Sequence, residues 1–234
     1  MDHQQNADSR GAGTEPLRTA LQTALADTRW HRIEVVDATG STNADLMARA
    51  DEPGIVGTVR ITTDQTAGRG RHARVWEAPR GTQVAISAVL PAGDAPDRLG
   101  WLSLATGTAA AHAIDRATGL SAVLKWPNDV LVDGKKVAGI LAEYASAPGG
   151  GIVVVGIGIN TEMSAEELPV PTATSLRIAT GRAVDVAAVA TEYLRALADQ
   201  RWPDDIDAVA ADYRDRCDTC LLYTSDAADD SLRV

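Results

Sequence analysis

Phenylalanine is absent from this chain of 234 residues, and aromatic residues together make up only 4%. Hydrophobic residues still reach 45%, so a core must be filled by Leu, Val, Ile and Ala. A chain of this length suits one sizeable domain with at most a small appendage. No apolar run approaches the ~20 residues that cross a bilayer. The stretch from Met1 to Pro16 is polar and lacks the apolar centre of a secretory signal, so a cytoplasmic location is expected. Only two cysteines occur, Cys217 and Cys220. With no second pair and no strand-to-helix redox context, they read as incidental thiols. Positive charge is also scarce: the formal net charge is −10. An acidic surface repels phosphate backbones, which argues against a general nucleic-acid binder. There is no Walker-type phosphate loop, so a nucleotide site would have to be built another way.

Residues 1–15 read as a disordered N-terminus, polar and without periodicity. Leu17, Leu21 and Leu25 then recur at helical spacing, which predicts a helix over Pro16–Asp27. Ile33–Val36 reads as a strand. Ser41 and Thr42 can cap free amides at the start of a helix that runs to about Ala50. Strands are expected over Thr58–Thr63 and Thr82–Leu90, and an alanine-rich helix over Trp101–Thr118. Val123–Trp126, Val130–Val132 and Lys136–Tyr144 read as strands, with a hairpin turn at Asp133-Gly134. Pro148–Gly151 reads as another turn, followed by a buried strand over Ile152–Ile159. Val184–Leu197 and Ile206–Arg216 read as helices. Hairpins in the middle and helices at the sides predict an α+β fold with a mainly antiparallel or mixed sheet.

The richest segment is Asp64–Trp76, which holds three arginines, two glycines and a tryptophan between two strand-like runs. Glycines let backbone amides approach a ligand closely. Arginines bring forked donors that fit phosphate and carboxylate. In an acidic protein, such a loop suggests a small anionic substrate. Three further blocks accompany it: Ser41-Thr42-Asn43 upstream, Lys125-Trp126-Pro127-Asn128-Asp129 with Lys135–Leu141, and Gly156-Ile157-Gly158-Ile159-Asn160. Pro127 cannot donate to a sheet ladder, so strand pairing should stop there, with Trp126 packed in the core. The last block is not a dinucleotide fingerprint, because no glycine-opened helix follows it.

These blocks, in this order, closely resemble the catalytic module of biotin protein ligases, from about Ile33 to about Arg216. The resemblance implies a fold related to class II aminoacyl-tRNA synthetases and a catalytic domain over residues 16–219. It also implies two reaction steps: biotin and ATP give biotinyl-5'-AMP, and biotin then passes to a lysine of the biotin carboxyl carrier domain of an acyl-CoA carboxylase. Mg²⁺ is the implied metal. Arg69, Arg71 and Lys136 match the residues that hold phosphate and carboxylate, and Lys136 also touches biotin. Ser41, Thr42, Asn43, Gln65, Gly70 and Trp76 match the biotin contacts. Lys125, Asn128, Asp129 and Asn160 match the ATP side, with Asp129 either an indirect Mg²⁺ partner or a turn cap. Ser41-Thr42 is also a plain helix cap, a role that can coexist with ligand contact, and Trp76 reads as a ligand wall or a core residue. His72 reads as a surface residue. Lys135 should point away from the site, because strand side chains alternate.

The family normally continues into a small β-barrel, which this chain lacks, and residues 220–234 read as a non-native tail. Some relatives repress transcription through an N-terminal helix-turn-helix domain. About thirty residues precede Ile33, too few for one. Two other readings remain open: a biotinyl-adenylate binding or sensing module that does not transfer, and a lipoate or octanoate transferase of the same superfamily.

Overall fold

The computed structural model describes residues 13–93, 99–146, 150–200, 202 and 204–219. A single seven-stranded sheet organises them. Its strands are β1 (Arg32–Val35), β2 (Thr58–Thr62), β5 (Gln83–Pro91), β6 (Ala122–Lys125), β7 (Asp129–Val132), β8 (Lys135–Ala145) and β9 (Ile152–Asn160). They lie in the order β1-β2-β5-β9-β8-β7-β6. Only β1 and β2 run parallel; every other neighbouring pair is antiparallel. The expected α+β fold with a mainly antiparallel, mixed sheet is therefore what the chain adopts. A separate pair, β3 (Gly68–Arg69) with β4 (Val75–Trp76), forms within the arginine segment.

Strand alternation divides the sheet into two unlike faces. On one, Val84, Ile86, Ala88 and Leu90 of β5 join Val153, Val155, Ile157 and Ile159 of β9 in the main core. Helices α1 (Thr14–Ala24), α3 (Leu99–Thr118), α5 (Val186–Ala198) and α6 (Ile206–Arg216) supply its other side, through Leu17, Leu21, Leu102, Ile114, Tyr193, Leu194 and Tyr213. Small residues on α3 (Ala109, Ala110 and Ala113, none exposed) let that helix lie close to the sheet without any Phe. On the opposite face, α2 (Thr42–Met47) covers only one end, where Leu46 meets Val89, Ile152 and Val154 in a smaller cluster. Two arginines anchor the region around it: Arg49 pairs with Glu34 and Glu52, and Arg60 pairs with Glu34 and Asp45. Burial works against the Glu34 carboxylate, yet hydrogen bonds and charge from Arg49 and Arg60 hold its carboxyl below the usual range. The rest of that face is open, and the site lies there.

Several elements depart from the sequence expectation. The first helix begins at Thr14 rather than Pro16. β6 ends at Lys125, so Trp126 is not part of it. A short helix, α4 (Leu176–Thr180), capped by Ser175, was not anticipated. Cys217 is disulfide-bonded rather than an incidental thiol. Residues 1–12, Pro148 and Gly149 of the Pro148–Gly151 turn, Cys220 and the whole 220–234 tail lie outside the described residues.

Candidate active site

The floor of the site is built from glycines. Gly158 and Gly156 fall on the open face of β9, opposite Gly139 and Leu141 of β8 on one side and Ala85 and Ser87 of β5 on the other. Any side chain at the two β9 positions would stand where another residue lies. A Cβ on Gly158 would come 2.6 Å from Trp76 Cε2, and one on Gly156 would enter the Asn43 side chain. Trp76 therefore lies flat over Gly158 and Gly139. Its Nε1 donates to Gln83 Oε1 at 2.6 Å, which holds the indole in that plane. Trp76 is half-buried and lines the cavity.

Above this floor lies a cavity of about 570 Å³. Its size is within the usual ~300–1,000 Å³ of small-molecule sites. Ser41, Thr42, Asn43, Gln65, Arg69, Gly70, Arg71, Trp76, Asn128, Asp129 and Lys136 all line it, so most of the expected site residues are brought together. Lys125 and Asn160 are not. Lys125 is exposed at the end of β6. Asn160 is buried, its Nδ2 donates to Thr174 O at 2.9 Å, and its Oδ1 has no partner among the described residues. His72 is exposed, as expected for a surface residue, and also stands in the cavity wall with a left-handed φ of 55°.

One end of the cavity is a hydrogen-bonded polar cluster. Ser41 caps α2, its Oγ accepting from Ala44 N at 3.4 Å. Gln65 Oε1 accepts from Thr42 N at 3.0 Å, which leaves the Gln65 amide nitrogen free to donate. Ser87 Oγ lies 2.7 Å from Thr42 Oγ1 and 2.6 Å from Asn43 Oδ1. Hydroxyls and amides can serve as donors and acceptors at once, as a ureido ring requires.

The other end is cationic. Lys136 Nζ lies 2.6 Å from Asp129 Oδ1 and 5.6 Å from the centroid of a Trp76 ring. A β-bulge places it there. Leu131 pairs with Lys136 while Val130 pairs with Ala138, so Val137 is the extra residue on β8. In an unbroken strand Lys136 would share the core face with Ala138 and Ile140. The bulge re-aims it to the face of Gly139. Its backbone is held on both sides, with Lys136 N donating to Thr172 O and Lys136 O accepting from Thr174 N, each at 2.8 Å. Lys135 is exposed, as alternation predicts.

Trp126 corrects the sequence expectation. It is 64% exposed rather than packed in the core, and stands at the cavity rim. Lys125 and Asp129 close the β6–β7 hairpin, so Trp126, Pro127 and Asn128 form its tip, with a cis peptide between Trp126 and Pro127. A residue at a hairpin tip has no second layer to pack beneath. Asn128 ties the tip to β8 by donating Nδ2 to Ile140 O at 2.9 Å.

Sequence reasoning did not single out Gln83, Ser87 or Glu143. Gln83 and Ser87 had a visible signal, since each is a polar interruption of an otherwise apolar strand. Glu143 had none. Its Oε2 accepts from both Asn43 Nδ2 and Arg69 Nη2, each at 2.8 Å. Among the described residues, no three His, Cys, Asp or Glu side chains are grouped to hold a metal. Asp129 already serves Lys136.

Comparison with known proteins agrees with this geometry. Residues 39–160 match the biotin/lipoate A/B protein ligase family. The biotin--[acetyl-CoA-carboxylase] ligase of Mycobacterium tuberculosis is 44% identical over 201 residues, covering 82% of this chain and 73% of that protein. The bifunctional ligase/repressor BirA of Bacillus subtilis is 34% identical over 177 residues, covering 74% of this chain and 54% of its own length. The structure of the biotin protein ligase from Aquifex aeolicus in complex with biotin and ATP superposes with a TM-score of 0.59 at 27% identity, covering 80% of this chain and 73% of that one. The biotin protein ligase of Leishmania major superposes at 0.67 with 20% identity over 81% and 82% of the two chains, a likeness of fold alone. From the matched segment and the identity to the mycobacterial enzyme, with the glycine floor and cationic end already described, the chain belongs to the biotin protein ligase family.

Proposed function

We propose that this chain is an ATP-dependent biotin protein ligase acting on a biotin carboxyl carrier domain, with residues 16–219 as its catalytic domain. The carrying observation is one cavity that joins a donor-and-acceptor end to a cationic end across a side-chain-free floor. The polar end suits the ureido ring of biotin, received by Ser41, Thr42 and the Gln65 amide. Trp76 covers the ligand's apolar middle. The biotin carboxylate then points toward Lys136 and Arg71. In the first step, a carboxylate oxygen bonds to the α-phosphorus of ATP, the bond to the bridging oxygen breaks, and pyrophosphate leaves. Two anions must meet for this, and Lys136 and Arg71 offset their repulsion. In the second step, a carrier lysine amine attacks the acyl carbon of the adenylate. AMP leaves and the nitrogen loses a proton. Mg²⁺ enters this proposal only as the counter-ion that accompanies ATP as substrate, since such an ion keeps most of its waters and needs few carboxylates.

Biotin-dependent exchange of pyrophosphate into ATP tests the reading directly. Exchange is expected with biotin and Mg²⁺ and not with lipoate. A folded chain that exchanges nothing, or that prefers lipoate, overturns it. The relatives named above are biotin ligases, which does not favour the lipoate alternative. Transfer to a purified carrier domain separates a full ligase from a module that only makes or holds the adenylate.

Arg71 carries a second expectation. Among the described residues it has no carboxylate partner, so its charge is available to the adenylate. Arg71→Ala should release biotinyl-adenylate into solution faster by about tenfold, the value of one charge-assisted hydrogen bond. Rapid filtration of the loaded enzyme measures this. Unchanged retention would remove Arg71 from the site.

A further inference from the structure

One carboxylate at the polar end has no part in the chemistry above. Glu143 lies on the open face of β8, in line with Gly139 and Leu141. A single oxygen, Oε2, accepts from Asn43 Nδ2 and from Arg69 Nη2, each at 2.8 Å. Asn43 belongs to α2, and Arg69 to the β3–β4 hairpin. One atom therefore joins three elements: the helix, the sheet and the arginine hairpin.

The two partners are committed to different degrees. The Asn43 Nδ2 group also serves Leu141 O at 3.1 Å, and Asn43 Oδ1 lies 2.6 Å from Ser87 Oγ. Both amide protons are thus taken by the protein, and the Asn43 side chain has no donor left for a ligand. Arg69, whose side chain is 44% exposed, is already neutralised by a carboxylate that is itself 24% exposed. Glu143 thus offsets the Arg69 charge, and a substrate anion would have to share that guanidinium with it. Charge-assisted bonds of this kind are directional as well as strong, so they fix the geometry of what they join.

We propose that Glu143 is a positioning residue for the biotin end of the site. It latches the arginine hairpin to α2, and Arg69 serves this latch rather than the substrate phosphates. The inference rests on the biotin ligase reading. It divides the labour of the two arginines: Arg69 holds the hairpin in place, and Arg71 meets the anion. With the latch released, Asn43 loses one of its bonds and the hairpin keeps its tie to the sheet through Trp76 but loses the one through Arg69. The pocket for the ureido ring widens, and the phosphate end is untouched.

A double-mutant cycle on the full chain tests this. Biotin affinity is read by calorimetry without ATP, and steady-state exchange gives KM for each substrate together with kcat. Glu143→Ala should weaken biotin about tenfold, leave KM for ATP unchanged and move kcat less than about threefold. Arg69→Ala should do the same. The pair together should be no worse than Glu143→Ala alone, because Arg69→Ala removes only a contact that Glu143→Ala has already removed. Glu143→Gln, which keeps an acceptor for Asn43, should recover part of the affinity. The Arg69 side, on an exposed hairpin, reads the same contact even where Glu143→Ala does not fold. The latch is overturned if Arg69→Ala raises KM for ATP or lowers kcat, or if its effect adds to that of Glu143→Ala. It is equally overturned if Glu143→Ala lowers thermal stability and leaves biotin affinity as it was. A wild-type chain that binds no biotin overturns the ligase reading, and the latch with it. A wild-type chain that binds biotin while both variants bind it equally well overturns the latch alone.

Discussion

Lys136→Ala should lower biotin-dependent ATP–pyrophosphate exchange by at least a hundredfold while leaving the fold intact. Loss of one preorganised donor aimed at developing charge costs about 10²–10³ in rate. Lys136 is preorganised in every sense the structure offers. Its backbone is bonded on both sides, a bulge aims its side chain, Asp129 holds its ammonium at 2.6 Å, and Trp76 lies beneath it. The fold should tolerate the change, because the side chain is at the cavity wall and not in the core. Lys136→Arg should not rescue the rate: a planar fork replaces a compact charge, and the space between Asp129 and Trp76 was shaped for the latter. Biotin affinity without ATP should fall much less than the rate. Exchange within about fivefold of wild type would show that another cation carries the first step.

Gly158→Val should abolish useful biotin binding by a purely steric route. Its Cβ would sit 2.6 Å from Trp76 Cε2 and 2.7 Å from Nε1. The indole would have to leave, breaking its bond to Gln83 and raising the cavity floor. Overpacking of this kind costs about 1–3 kcal/mol and sometimes more. At the upper end that is a fall in affinity of about a hundredfold. Trp76→Ala in the same chain should relieve the crowding and restore thermal stability without restoring affinity, since the wall is then missing. Calorimetry and a melting curve on the single and double variants report the two effects separately. Biotin bound by Gly158→Val within about fivefold of wild type would show that this floor does not touch the ligand.

Much of the site could be read from residues alone, and the exceptions have physical causes. The motif blocks placed Thr42, Gln65, Trp76 and Lys136 in one cavity because each carries a chemistry that a strand or helix end must present. Alternation correctly separated Lys135 from Lys136. It could not reveal why Lys136 faces the site, since the bulge at Val137 depends on how β7 registers against β8. Trp126 was misread because a large apolar side chain beside a strand usually turns inward, whereas a hairpin tip leaves it nothing to turn toward. Glu143 was invisible because its value lies in two partners, Asn43 and Arg69, that are remote in sequence and meet only when α2 and the hairpin fold over the sheet. The fold class was legible from hairpin spacing. The helix Leu176–Thr180 was too short to leave a periodic trace.

The two borders of the sheet are not alike. At β6 the chain closes its own edge: Asp218 N donates to Leu124 O at 2.8 Å, Leu124 bridges Cys217, and Trp126 N donates to Thr219 Oγ1 at 3.2 Å. A foreign strand finds those backbone groups already taken. At β1 the border is only Arg32–Val35, and its two charged side chains are engaged by Glu52 and by Arg49 and Arg60. Short, charged borders and covered ones are how sheet proteins escape pairing with their neighbours. The sheet thus leaves one face bare for a ligand while offering a foreign strand, among the described residues, only a short and charged border at β1.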